Sequence, residues 1–114
     1  MPGRLIVDGM NVIGSRPDGW WRDRRGAQRA LAQALSGLGE PVTVVFDGAP
    51  HDVDAPAGVE VVFVPHADDE IALRAAPGAR VVTSDRALAQ RVRAAGAEVL
   101  PAKAFRERVN PRRG

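Results

Sequence analysis

The chain has 114 residues, 45% of them hydrophobic, which is enough for one compact domain with a real core and too little for two. Its formal net charge is only +2, yet its isoelectric point is near 10.3, because fifteen of the sixteen basic residues are arginine, set against fourteen acids. Cysteine is absent, which excludes disulfides and thiolate metal sites and leaves oxygen ligands suited to hard cations such as Mg²⁺ or Mn²⁺.

Leu5-Ile6-Val7 reads as a short, fully apolar strand, followed by Asp8-Gly9-Met10-Asn11 and a loop from Ser15 to Trp21. From Arg22 to about Leu38, apolar residues recur at Ala27, Ala30, Leu31, Ala34, Leu35 and Leu38, the spacing of an amphipathic helix that Gly37 and Gly39 close. Val42–Phe46 is a β-branched second strand. Residues 48–58 form a surface loop, and Val59–Val64 is the third strand. A second helix from Asp68 to about Ala76 stops at Pro77-Gly78. Ala79–Thr83 is the fourth strand, Asp85–Ala95 the third helix and Ala97–Leu100 the fifth strand. A basic tail follows from Pro101 to Gly114, beginning as a helical turn.

Strands alternating with helices predict a single α/β domain over residues 1–114 with a mainly parallel sheet. The 48–58 loop is short for a parallel crossover, so the third strand could run antiparallel. No apolar run reaches the length of a membrane span, and Met1-Pro2-Gly3-Arg4 opens no signal-peptide pattern, so a cytoplasmic protein is expected.

Four aspartates stand where apolar runs end: Asp8, Asp47, Asp68 and Asp85. In an open α/β sheet the carboxyl ends of parallel strands gather at one edge, where ligands bind. Two carboxylates about 4 Å apart repel by roughly 4 kcal/mol at an effective dielectric near 20. Such a cluster is tolerated if some members protonate or a cation neutralises them, which points to a divalent metal site. Each aspartate also has an ordinary reading. Asp8 can end its strand in an Asx-turn, Asp47 can start a turn, and Asp68 and Asp85 can cap helices.

Gly9 would let the backbone turn sharply beneath a ligand, and Asn11 would bond a phosphate or a bound water. Asp68 is expected to share the inward helix face with Ile71, Ala72 and Ala75, with Asp69 a helper beside it and Glu70 on a flanking face. Thr83 and Ser84 are expected to contact a phosphate or a metal-bound water. His51 and His66 are assigned surface or local capping roles. Arg16, Trp20, Trp21, Arg22, Arg24 and Arg25 interleave arginine with tryptophan, a combination suited to unpaired bases and their phosphates, with one tryptophan expected to be structural.

D-G-M-N-V-I-G at 8–14, V-V-F-D-G at 44–48, A-D-D-E-I at 67–71 and V-V-T-S-D-R at 81–86 together resemble the NYN domain of PIN-like ribonucleases, in particular its YacP-like branch, over about residues 4–100. The resemblance implies a three-layer PIN-like (Rossmann-like) α/β sandwich with a five-stranded sheet of order 3-2-1-4-5. It also implies Mg²⁺- or Mn²⁺-dependent cleavage of single-stranded RNA, endonucleolytic by expectation. Metal-binding acids map onto Asp8, Asp68 and Asp85, with Asn11 and Asp47 nearby and Ser84 orienting water or phosphate. The implied partners are mRNA or another single-stranded RNA and, by family analogy, the ribosome; the chain itself is expected to be a monomer or weak dimer. One rival is an RNA-binding module that keeps the site and cleaves nothing. Another is a phospho-acceptor receiver domain using Ser84 and Lys103, but its third strand ends in Val64-Pro65-His66 without an acceptor aspartate.

Overall fold

The computed structural model describes residues 4–15 and 19–109. Its strands are β1 (Leu5–Asp8), β2 (Val42–Asp47), β3 (Val59–Val64), β4 (Arg80–Val82) and β5 (Glu98–Leu100). Its helices are α1 (Gly9–Gly14), α2 (Arg24–Leu35), α3 (Ala67–Arg74), α4 (Arg86–Ala94) and α5 (Ala102–Val109). The sheet has the order β3-β2-β1-β4-β5, and every neighbouring pair is parallel.

Alternation along the strands divides the core in two. Leu5, Val7, Val42, Val44 and Phe46 turn to the face covered by α1, α2 and α5, where Val12, Ile13, Leu31, Leu35 and Phe105 meet them. Ile6, Val45 and Val81 turn to the other face and pack on Ile71 of α3 and on Leu88 and Val92 of α4. The result is three layers, helices on both sides of a sheet whose central strands are mostly apolar up to the aspartates that end them.

The third strand is parallel, so the antiparallel alternative is set aside. Residues 48–58 carry the crossover without a helix. Eleven extended residues reach about 36 Å, well beyond the roughly 20 Å length of a six-residue strand. The segment is fastened to α2 as it passes: Val53 is buried, Gln33 Nε2 donates to the Asp54 carbonyl at 2.8 Å, and His51 Nε2 donates to Gln28 Oε1 at 2.6 Å.

Two helices differ from expectation. Residues 9–14 form α1, a six-residue helix too short to show periodicity. Gly9 begins it at an ordinary φ, and its role is close packing: a Cβ there would run into the Phe46 ring. The second helix, α2, is shorter than the periodic stretch. Single 3₁₀ turns flank it at Trp20–Arg22 and Ser36–Leu38, and Asp23 caps it by accepting from the Gly26 N–H at 3.0 Å. Among the described residues no helix is long and apolar enough to cross a membrane.

Candidate hydrolytic site at the strand ends

The chain runs β1 to β2 to β3 on one side, then returns through α3 to β4 on the other. The switch point therefore lies between β1 and β4, at the carboxyl ends of the strands. Asp8 is the last residue of β1, at the centre of that edge, and only 8% exposed. Asp47 ends the neighbouring β2 and Asp85 follows β4, while Asp68 stands in the first turn of α3 after β3.

Burial raises the Asp8 carboxyl from its ordinary 3.8 to about 6. The Thr83 hydroxyl partly offsets this by a hydrogen bond to the charged form, and the negative charges of Asp47, Asp85 and Asp68 push it further up. The negative charges of Asp47, Asp85 and Asp68, from three separate segments, thus reach Asp8 at one sheet edge. They do so at electrostatic range: among the described residues no three acidic or histidine side chains stand close enough to hold one ion between them as placed. The donor set consists of carboxylate and amide oxygens, the chemistry that hard divalent cations take.

Hydrogen bonds orient the site. Thr83 Oγ1 donates to Asp8 Oδ2 at 2.8 Å and accepts from the Asp85 N–H at 3.1 Å, so one hydroxyl ties the central carboxylate to the start of α4. Thr83 is 1% exposed, which corrects its expected contact with phosphate: it positions Asp8 from below. Asn11 Oδ1, on α1, accepts from the Ser84 N–H at 2.7 Å. That bond joins the loops after β1 and β4 and leaves the Asn11 amide group free to donate. Ser84 Oγ accepts from the Ala102 N–H at 2.9 Å, seating the start of α5.

Two acids also serve as caps, each through one oxygen: Asp85 Oδ1 accepts from Leu88 N–H at 3.0 Å and Asp47 Oδ1 from Ala67 N–H at 2.6 Å. Asp68 Oδ1, within the first turn of α3, accepts from the adjacent Asp69 N–H at 3.0 Å. Asp47 reaches across from β2 to cap α3, although His66 occupies the N-cap position and makes no side-chain cap bond. Asp68 does not pack inward with Ile71. Its side chain is 57% exposed with Oδ2 4.0 Å from Arg91, because Ala67 takes the buried place at the helix start. Asp69 is drawn away from the cluster by Arg91, which it meets at 2.9 Å.

Of the aromatic and basic stretch, Arg16 lies outside the described residues. Trp20 packs against the core and Trp21 is 62% exposed, so one tryptophan is structural and one presents its ring to solvent. Arg24 donates to the Asp47 carbonyl at 3.0 Å, which brings the start of α2 to the acidic edge. Arg22 and Arg25 are exposed and pair with nothing among the described residues. His51 packs its ring on Phe63 and bonds Gln28, a local structural role. Gln28, 3% exposed, links His51 to Met10 Sδ; a lone polar residue on an amphipathic helix gave no sequence signal for it.

A five-stranded, all-parallel sheet of this order flanked by helices matches a PIN-like α/β fold. The model of the YacP-like NYN domain matches residues 5–113, and the chain belongs to that family. Among solved structures, the crystal structure of Rae1 (YacP) from Bacillus subtilis, a tryptophan-to-leucine mutant, is similar with a TM-score of 0.78 at 27% sequence identity; the match covers 95% of this chain and 75% of that one. Comparison with curated proteins finds no match.

Proposed function

We propose that this domain is a metal-dependent ribonuclease that hydrolyses phosphodiester bonds within single-stranded RNA in the cytoplasm. The observation that carries this reading is the Asp8 carboxyl, buried at the switch point and held near a pKa of about 6 by burial and by three further carboxylates. A structure retains such an electrostatic liability at a ligand-binding edge where function uses it.

Asp8, Asp68 and Asp85, with Asp47 beside them, would hold Mg²⁺ or Mn²⁺. The bound cation would supply Lewis acidity at the scissile phosphate and a hydroxide nucleophile near neutral pH. The remaining work belongs to the chain. Thr83 fixes the Asp8 carboxylate through its hydroxyl. The Asn11 amide, anchored by its oxygen on Ser84, offers its N–H donors to a phosphate oxygen. Arg22 and Arg25 hold flanking phosphates, and Trp21 stacks an unpaired base. Arg24 braces the carboxyl end of β2 and so positions Asp47.

The same geometry supports a second reading, an RNA-binding module that cleaves nothing, because the acids as placed do not form a ligating trio. One experiment separates the two. A single-stranded RNA labelled at its 5′ end, and a circular RNA of the same sequence, are incubated with the protein in Mn²⁺, Mg²⁺ or EDTA. The hydrolytic reading requires cation-dependent opening of the circle. RNA bound but intact under every cation supports the binding module instead.

A further inference from the structure

A groove of about 460 Å³ runs between α4 and the β5 edge of the sheet, and one end of it is formed by Thr83 and Ser84 of the candidate site. Its volume is typical of ligand pockets. Arg86, Gln90 and Arg93 line one wall, at spacings of four and three residues that place them on a single face of α4. Val99 and Pro101 supply an apolar opposing surface.

The arginines of α4 divide by face. Arg91 turns to α3 and is neutralised by Asp69. Arg86 and Arg93 are exposed in the groove and make no ion pair or hydrogen bond among the described residues. Glu98, the acid of β5, forms no ion pair with either arginine among the described residues. Seven residues of helix separate the two arginines, about 10 Å along the axis, so they would meet phosphates of different nucleotides. Guanidinium forks suit phosphodiester oxygens, and an apolar floor suits sugar and base faces.

We propose that this groove carries the single-stranded RNA backbone away from the acidic edge toward β5, with Arg86 and Arg93 as phosphate contacts and Gln90 as a hydrogen-bonding partner between them. The assignment rests on the ribonuclease reading, because a strand leaving the carboxylates past Ser84 would meet this cationic groove next. It adds the path of the strand on the side opposite to Arg22, Arg25 and Trp21.

The test is fluorescence anisotropy with a labelled single-stranded RNA in EDTA, which reads binding without cleavage, across a range of KCl concentrations. The Arg86→Gln/Arg93→Gln double variant removes two phosphate contacts and should flatten the slope of log Kd against log salt by about 1.4, at roughly 0.7 per single-strand contact. Arg93→Gln alone should give about half of that. Arg4→Gln, at the opposite end of β1, removes one charge remote from the groove and should leave the slope unchanged. Circular dichroism melts confirm folding, since both groove arginines are exposed. An unchanged slope in a double variant that still cleaves RNA overturns the groove and leaves the hydrolytic reading standing. A flattened slope in a protein that cleaves nothing under any cation upholds the groove and removes the hydrolytic reading.

Discussion

Replacing Asp8 with Asn should make the metal-free protein more stable at neutral pH. The folded-state pKa of Asp8 is raised from 3.8 to about 6, chiefly by burial. Between those values the folded protein keeps a proton that the unfolded chain has released. Stability therefore falls as pH rises through this window, and the full penalty persists above it. At 1.36 kcal/mol per unit the shift is worth about 3 kcal/mol near pH 7.5. Asn keeps the shape, and its amide oxygen can still accept from Thr83, so the variant sheds the penalty without losing the hydrogen bond seen at 2.8 Å. Relaxation of the site reduces the gain, so an increase of about 1–3 kcal/mol is expected in urea denaturation with EDTA at pH 7.5. The gain should nearly vanish near pH 3.5, where Asp8 is protonated in the folded state and mostly protonated in the unfolded one. A variant less stable than the parent at pH 7.5, or equally stabilised at both pH values, would show that Asp8 is not held against its own charge.

Thr83→Val removes the hydroxyl that binds Asp8 and accepts from Asp85 N–H. It should cost about 1–3 kcal/mol in denaturant, and it should move the stability-against-pH transition of Asp8 upward, because the bond that favours the charged carboxylate is gone. A melting loss without that upward move would leave Thr83 a packing residue only. Trp21→Ala should weaken RNA binding by about 1–3 kcal/mol through lost stacking while leaving the melting temperature unchanged, since the ring is 62% exposed. Trp20→Ala should do the reverse, lowering the melting temperature with little effect on affinity, because its ring packs on the core. Anisotropy and thermal melts on the pair check both halves.

The sheet was legible because its signals are local. β-branched runs end at Gly, Pro or Asp, and helix periodicity fills the spaces between them. The D-G-M-N and T-S-D motifs placed Asp8 and Asp85 on adjacent strands, and β1 does pair with β4. The hydrogen-bond wiring was not legible, because it joins residues distant in sequence. Asp47 caps a helix twenty residues away, and Thr83 serves Asp8 across 75. No local pattern assigns Gly9 to the Phe46 ring either, since the contact exists only once β2 lies beside β1. Asp68 departed from its helical-wheel placement for a related reason. The helix begins one residue earlier than expected, and Ala67 takes the buried place while Asp68 turns to solvent. The parallel β3 shows that a crossover can dispense with a helix when an extended segment reaches far enough and the adjoining helix holds it by side-chain hydrogen bonds.

The proposed function requires the acids at the strand ends to take up a divalent cation. Titrating the protein with Mn²⁺ and following free ion by electron paramagnetic resonance addresses it directly. The wild type should remove Mn²⁺ from solution stoichiometrically, and Asp8→Asn and Asp85→Asn should each lose that uptake while remaining folded. Uptake that is absent in the wild type, or unchanged in both variants, rules out a cation site at these acids.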